Sequence, residues 1–218
     1  MYGLLARQGL GHAPTTVVTF AGCSSALTLL ESAAYHVTSR AGRHVLVLAV
    51  DRVLEHSMRV LRPAVSIVGD GAASCVVTAA GDRPGWQLRW LGRRAFLDIA
   101  EHDRVTDFAP ALVMLGRALL SLRRHELASL PVSTKNMTLL CNNYGLPTLR
   151  LFAATLGMRQ DQVFTQNVPR TGHLGCPDPL VNLADCPGTG DAGVLVLATA
   201  PADCAISWFT PYPPAPGG

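Results

Sequence analysis

The chain has few charged residues and few aromatic ones. Of its 218 residues, 15% are charged and 6% are aromatic, whereas 49% are hydrophobic. The formal net charge is only +3. A basic stripe with interleaved aromatic side chains, which is typical of nucleic-acid binding, is missing, so we expect no nucleic-acid partner. The apolar content indicates a globular protein with a large core.

The six cysteines form no C-x-x-C pair, which disfavours a zinc site or a dithiol redox motif. We therefore expect no metal and no redox cofactor. No apolar run approaches the roughly 20 residues that a membrane span needs, so we expect no membrane contact. The first residues lack a basic stretch followed by a hydrophobic segment, as a signal peptide would have. The expected location is the cytoplasm, with the thiols reduced.

The first half of the chain opens with a strand–helix–strand pattern. Residues 15–20 read as a strand, and a buried helix of about 16 residues follows from Ser24. Residues 44–50 are almost uninterruptedly apolar, which is typical of a strand covered on both faces. This order predicts a βαβ unit with a parallel pairing. Gly69-Asp70-Gly71 predicts a tight turn that leads into a strand from about residue 73 to 79.

The rest of the chain alternates predicted strands and helices. Pro110 is predicted to open a helix over residues 110–127, because proline suits the first helical turn. Further strands are predicted at 85–93, whose alternating pattern suggests an antiparallel neighbour, and at 137–143, 161–167, 192–199 and 204–210. Further helices are predicted at 147–157, closed by Gly157, and at 177–185. Two halves that mix parallel and antiparallel strands with helices predict a layered α/β architecture.

Cys23 occupies the small-residue corner between the first strand and its helix. The free N–H groups and the positive dipole end of a helix N-terminus favour a thiolate over a thiol, which is how a reactive cysteine arises. Gly22 allows a sharp turn, so the corner resembles a nucleophile elbow in purpose. A buried structural cysteine at a helix start explains the stretch equally well.

His173 lies in a glycine-flanked loop, "RTGHLGCPDPLVNL", with Asp178 five residues later. A histidine in such a loop is expected to have little packing around it, and it can serve as the base for a thiol if a carboxylate holds its tautomer. A plain loop histidine beside a helix-capping aspartate is the competing interpretation. Asn142 and Asn143 end a buried strand, where they could donate hydrogen bonds to a thioester oxyanion or simply form a turn.

Five segments of the chain, in this order, resemble segments of the thiolase superfamily, and most of all those of β-ketoacyl-acyl-carrier-protein synthase III and its relatives. The resemblance covers nearly the whole chain and is carried by "AGCSSALTLLESA", "VGDGAASCVVTAAG", "LLCNNYGLPTLRLFAATLGMRQDQVF", "RTGHLGCPDPLVNL" and "GDAGVLVLATAPADCAISWF". It implies a thiolase-like layered αβαβα fold. At the family's usual histidine position this chain has Asn142, and at its usual asparagine position it has His173. This exchange is similar to a branch of acyltransferases from natural-product pathways that use Cys or Ser, His and Asp.

The resemblance implies that Cys23 is the nucleophile, His173 the base, Asp178 its orienting carboxylate and Asn142 a further member of the site. The implied reaction takes an acyl group from a coenzyme A or carrier-protein thioester onto Cys23 and passes it to an acceptor without decarboxylation. Decarboxylative condensation, as in synthase III, and an inactive thiolase-fold partner subunit are the alternatives. A homodimer is expected, as is usual for the family.

The resemblance also implies a domain organisation. The family's nucleophile normally lies about a hundred residues into the chain, so we expect an N-terminally truncated form of the fold. Residues 1–100 would be the remainder of the N-terminal half with the nucleophile, 101–210 the C-terminal half, and 211–218 a Pro/Gly-rich tail.

Overall fold

A computed structural model describes residues 2–19, 21–39, 44–54, 59–62, 65–79, 84–96, 108–187, 192–200 and 203–212. The α-helices of this part of the chain are α1 (Tyr2–Arg7), α2 (Ser25–Thr38), α3 (Phe108–His125), α4 (Leu146–Leu156), α5 (Val168–Thr171) and α6 (Asp178–Asp185). Its strands are β1 (His44–Asp51), β2 (Val60–Arg62), β3 (Ser66–Ile67), β4 (Gly71–Thr78), β5 (Gly85–Ala95), β6 (Thr138–Cys141), β7 (Val194–Thr199) and β8 (Asp203–Tyr212).

A four-stranded sheet with the strand order β5-β8-β7-β6 forms the centre of the molecule. β6 and β7 are parallel, and β8 runs antiparallel to both β7 and β5. Every residue of β7 is buried. Its odd-numbered side chains, Leu195 and Leu197, face α3 and α4, whereas Val194 and Val196 face α2 and α6. Helices therefore cover both faces of this sheet.

A second, two-stranded sheet of antiparallel β1 and β4 packs on the other side of α2. Val47 and Ala49 of β1 contact the core that contains Leu27 and Leu30 of α2. The described layers therefore run helix, sheet, helix, sheet, which confirms the predicted layered α/β, thiolase-like fold class. None of the helices in the described ranges is long and apolar enough to cross a membrane.

Several predicted elements are confirmed with shifted ends. The strand predicted at 85–93 pairs antiparallel with β8, as expected, and extends to Ala95. The helix predicted from Pro110 begins at Phe108. The predicted tail at 211–218 begins too early, because Pro211 and Tyr212 continue β8; residues 213–218 lie outside the described part. The predicted domain boundary at residue 100 also lies outside it.

The predicted βαβ unit is wrong. Residues 15–19 are not a strand, and Val17 is 53% exposed. β1 pairs antiparallel with β4 instead of parallel with this segment. A strand is stabilised by hydrogen bonds to a neighbouring strand, and within the described residues the sequence 15–19 has no such neighbour.

The expectation that residues 44–50 are covered on both faces is also wrong. Val47 is 3% exposed on the face towards α2, but Val50 on the other face is 69% exposed. A continuous apolar run does not distinguish a strand between two layers from an outer strand, because that difference depends on which elements pack against it.

The strand predicted at 161–167 is replaced by a 3₁₀ turn at Gln160–Gln162 and a single bridge from Val163 to Leu139 of β6. The side chain of Gln162 donates to the main-chain carbonyls of Thr134 and Met137 at 2.8 and 2.7 Å. These bonds hold the segment as a turn, and Phe164 N donates to Leu139 O of β6 at 2.9 Å.

Two glycine substitutions should have opposite effects on stability. Gly157 ends α4 at φ +76°, and a Cβ there would lie 2.7 Å from the Arg123 guanidinium carbon, so Gly157→Ala should lower the free energy of unfolding by about 1–2 kcal/mol. Gly116 lies inside α3, and a methyl group added there would meet no other atom within 4 Å. Because alanine loses less conformational freedom in a helix than glycine does, Gly116→Ala should raise the free energy of unfolding by about 0.5–1 kcal/mol. Urea unfolding of both variants tests the pair; two shifts of the same sign would contradict it.

Candidate functional site

Cys23 lies in a 3₁₀ turn, Gly22–Ser24, that leads directly into α2. The hydroxyls of Ser24 and Ser25 donate to the carbonyls of Ala21 and Gly22, both at 2.7 Å. These bonds close the turn, while the cysteine itself remains partly exposed. The predicted corner before the helix is therefore present, although no strand precedes it in the described residues.

The main chain of His173 is held against β3. Its N–H donates to Ile67 O at 2.8 Å, and Gly69 N donates to His173 O at 2.9 Å. The neighbouring Gly71 has no room for a side chain, because a Cβ there would lie 2.7 Å from the Leu174 Cβ. The Gly69-Asp70-Gly71 segment is thus more than a turn: it leaves room for the loop that carries His173.

The imidazole of His173 connects the predicted nucleophile to the predicted carboxylate. Its Nε2 lies 3.3 Å from Cys23 Sγ, across 150 positions of sequence, and its Nδ1 lies 2.5 Å from Asp178 Oδ2. The structure thus brings Cys23, His173 and Asp178 together in the order sulfur, imidazole, carboxylate. This is the arrangement in which a base can take the proton of a nucleophile while a carboxylate fixes its tautomer.

The expectation that His173 has little packing is wrong. The residue is only 4% exposed, and its ring lies 4.8 Å from that of Tyr144, centroid to centroid. The glycines on either side leave the loop narrow enough to be covered by neighbouring elements, so they do not produce an open environment.

Asp178, at the first position of α6, is completely buried. Besides the bond to His173, Oδ2 accepts from the main-chain N–H of Asn143 at 2.9 Å. Oδ1 accepts from Leu174 N at 3.0 Å and from Asn143 Nδ2 at 3.2 Å. A carboxylate has about four lone-pair directions, and all of them are used here. Both the position and the rotation of this carboxylate are therefore fixed.

The two asparagines after β6 differ in their contacts. Asn142 Nδ2 donates to Gly175 O at 3.3 Å, and its Oδ1 accepts from Thr199 N at 3.0 Å. Asn142 therefore joins the His173 loop to the end of β7, and its role in binding an oxyanion stays a prediction. Asn143, the other candidate for that role, contacts Asp178 instead.

Tyr144 and Asn182 also surround the site, although sequence reasoning did not single them out. Tyr144 packs on the imidazole and its hydroxyl lies 3.1 Å from Thr199 Oγ1. Asn182 Nδ2 donates to Asn143 Oδ1 at 3.0 Å. The available signal for Asn182 is its spacing from Asp178, because residues i and i+4 share one face of a helix. Nothing in the sequence distinguishes Tyr144 from an ordinary core residue.

Opposing effects act on the protonation of His173. Burial lowers the pKa of its imidazole, but the hydrogen bonds to Asp178 and Cys23, together with the charges of those two groups, outweigh burial and raise the pKa to about 10. The imidazole is therefore protonated at neutral pH as long as Cys23 carries no acyl group. No disulfide joins the cysteines of the described residues, and the same ranges contain no group of His, Cys, Asp or Glu side chains arranged to hold a metal ion.

Comparison with known proteins finds one family model and a set of similar structures. The family model of 3-oxoacyl-[acyl-carrier-protein] synthase III matches residues 19–90. No curated protein matches the chain significantly. The acyltransferase ChlB3 superposes with a TM-score of 0.81 at 22% identity, over 100% of this chain and 74% of that one.

Two synthases III are also similar in structure. The enzyme from Aquifex aeolicus VF5 gives a TM-score of 0.75 at 18% identity, over 96% of this chain and 71% of that one. FabH from Pseudomonas aeruginosa PAO1 gives 0.74 at 15% identity with the same coverage of 96% and 71%. The molecule thus has the thiolase fold. Residues 19–90, which include Cys23, are also similar to the 3-oxoacyl-[acyl-carrier-protein] synthase III family.

The protonation of His173 can be tested by removing its two partners. Cys23→Ala and Asp178→Asn should each lower the pKa of the imidazole below about 10, because each removes a hydrogen bond and a charge that raise it. A pH titration of the ring nitrogens by NMR measures this. Cys75→Ala, which removes a thiol from β4, should leave the titration unchanged. An unaltered His173 titration in both site variants would show that the three side chains are not coupled in solution.

Proposed function

We propose that the protein is an acyltransferase that carries the acyl group on Cys23. The observation behind the proposal is the continuous link from Cys23 Sγ through His173 to Asp178, with 3.3 Å between Sγ and Nε2 and 2.5 Å between Nδ1 and Oδ2. The proposed donor is an acyl thioester of coenzyme A or of an acyl carrier protein. The proposal needs no metal and no redox cofactor.

In the first half of the reaction, the thiol proton of Cys23 already lies on His173 Nε2, and the Cys23 thiolate attacks the thioester carbonyl. The new bond joins the acyl carbon to Sγ, and the bond to the donor sulfur breaks. The donor thiolate leaves with the proton that His173 carries. Asp178 stays ionised and keeps Nδ1 protonated, so that Nε2 always faces the reacting atoms.

In the second half, the acyl group passes to an oxygen or nitrogen nucleophile. Two of the interactions that raise the pKa of His173 come from Cys23, and acylation weakens both because a thioester sulfur carries no charge. The imidazole can then lose its proton to the departing donor thiolate and act as the base for the acceptor. It takes the acceptor's proton as the new bond forms, and the Cys23 thiolate leaves.

Decarboxylative condensation is the second candidate, and the match of residues 19–90 to the synthase III family favours it. In that reaction a malonyl thioester loses carbon dioxide, and the resulting enolate attacks the acyl-cysteine. Asn142 stands where the family's histidine would stabilise that enolate. Its amide is neutral and is already bonded to Gly175 O and Thr199 N, so we favour transfer without decarboxylation.

An inactive partner subunit with the thiolase fold is the third interpretation. A buried carboxylate that keeps all its hydrogen bonds and still faces a histidine beside a partly exposed thiol argues against it. Assembly into a homodimer, location in the cytoplasm and a place in polyketide or fatty-acid biosynthesis stay part of the proposal.

Mass spectrometry of the intact protein tests the reaction. After exposure to a panel of acyl-coenzyme A and acyl-carrier-protein thioesters, the wild type should gain the mass of one acyl group, and Cys23→Ala should gain none. His173→Ala should retain some acylation but slow the transfer to an acceptor by about 10²–10⁴-fold, because the general base is lost. Asp178→Asn should slow the same step by disturbing the tautomer of the imidazole.

The control is Cys75→Ala, which should be acylated at Cys23 like the wild type. A labelled malonyl thioester added beside the acyl donor separates transfer from condensation. We expect no carbon dioxide. Stoichiometric release that depends on Cys23 would refute the transfer reaction and establish the condensing one.

A further inference from the structure

Three buried asparagine side chains form a continuous chain of hydrogen bonds behind Asp178. Asn143 is 2% exposed, and Asn167 and Asn182 are fully buried. Asn167 Nδ2 donates to Asn182 Oδ1 at 2.9 Å, and Asn182 Nδ2 donates to Asn143 Oδ1 at 3.0 Å. Asn143 Nδ2 then donates to Asp178 Oδ1 at 3.2 Å. Each amide therefore accepts through its oxygen and donates through its nitrogen in the same direction.

The chain begins at a cation. Arg170 Nη1 donates to Asn167 Oδ1 at 2.9 Å, and the arginine side chain is 64% exposed beside Asp185. The donors thus run from a surface guanidinium to a buried carboxylate. Hydrogen bonds in a row polarise one another, so each amide presents the positive end of its dipole towards Asp178.

The orientation of the amides is fixed by their other contacts. The second N–H of Asn182 donates to Cys141 O at 2.7 Å, and that of Asn143 donates to Thr171 Oγ1 at 3.1 Å. A flipped Asn182 amide would place its oxygen against the carbonyl of Cys141 and against Asn143 Oδ1. Both contacts would be repulsive, so the direction of the chain cannot reverse without the loss of several bonds.

We infer that Asn143, Asn167 and Asn182 are positioning residues that act on His173 through Asp178 during acyl transfer. The inference rests on the proposed function, because it assigns a role within that reaction. When His173 takes the acceptor's proton, Asp178 must remain ionised with Oδ2 on Nδ1. The asparagine chain holds Oδ1 from behind and stabilises the carboxylate's charge in a place that water does not reach. Without it Oδ1 keeps only the bond from Leu174 N, so the carboxylate is held less firmly against the imidazole.

Asn182→Ala is the decisive variant, because Asn182 is hydrogen-bonded to neither Asp178 nor His173 and acts through Asn143. Loss of a hydrogen bond in a chain that ends on a charged group should slow transfer from acyl-Cys23 by about ten- to a hundredfold. The KM for the thioester should not change. The downfield NMR signal of the His173 Nδ1 proton should broaden or vanish, because its acceptor is no longer fixed.

Gln162→Ala is the matched control. Gln162 is another buried amide, 7% exposed, and its Nε2 donates to the carbonyls of Thr134, Lys135 and Met137. Its removal should lower the melting temperature but leave the transfer rate and the proton signal unchanged. An Asn182→Ala protein that matches Gln162→Ala in both measurements would overturn the inference.

Two surface variants decide the question if Asn182→Ala does not fold. Arg170 and Arg159 are 64% and 63% exposed, and each pairs with an aspartate. Arg170→Met should slow transfer by about two- to fivefold, in line with the strength of an exposed charge interaction, and Arg159→Met should not. Equal transfer rates in the two variants would overturn the inference in that case.

The proton signal is recorded on the free protein, so it separates the failure of the asparagine chain from the failure of the proposed function. If the wild type is never acylated at Cys23 but the Asn182→Ala protein lacks the His173 proton signal, acyl transfer is refuted and the positioning of Asp178 is demonstrated. A wild type that transfers acyl groups at a rate unaffected by Asn182→Ala would refute the role of the asparagine chain alone.

Discussion

The buried charge of Asp178 constrains every element around the site. An ionised carboxylate that water cannot reach is strongly destabilising unless hydrogen bonds compensate it. Its donors come from the residues after β6, from the loop before α6 and from the imidazole of His173. The end of β6 and the loop can each move only at the cost of leaving this charge unsatisfied. The site is therefore rigid because its carboxylate is buried.

The central sheet places these donors at one edge. β6 and β7 are parallel, so the residues that follow them emerge on the same side, and Asn142 and Thr199 are joined there by a hydrogen bond. In open α/β sheets this carboxyl edge is where ligands bind. The turn at Cys23 contributes the thiol to the same place, because α2 packs on the face of β7 and β8.

Space is as important as charge in the approach of His173 to its partners. The histidine backbone pairs with β3 and the segment after it, and a side chain at Gly71 would collide with Leu174 of the histidine loop. The asparagine chain from Arg170 fills the volume behind Asp178 with oriented amides rather than with apolar side chains. Buried polar groups of this kind are stable only when each has its partner, and here each of the three asparagines does.

The sequence by itself determined the elements that depend on local signals and the residues whose chemistry is distinctive. Gly157 ends α4 as its position predicts, β5 pairs antiparallel, and Cys23, His173 and Asp178 were recognisable through their corner, their glycine-flanked loop and their spacing. Only the tertiary structure decided which apolar strands are covered, because Val47 and Val50 look alike in sequence but lie on opposite faces of β1. It also decided that residues 15–19 form no strand and that the Asn143 side chain donates to Asp178. Packing determines which groups distant in sequence become hydrogen-bond partners. The contact of Cys23 with His173 belongs to this second class: 150 residues separate them, and only the layered fold brings sulfur and imidazole together.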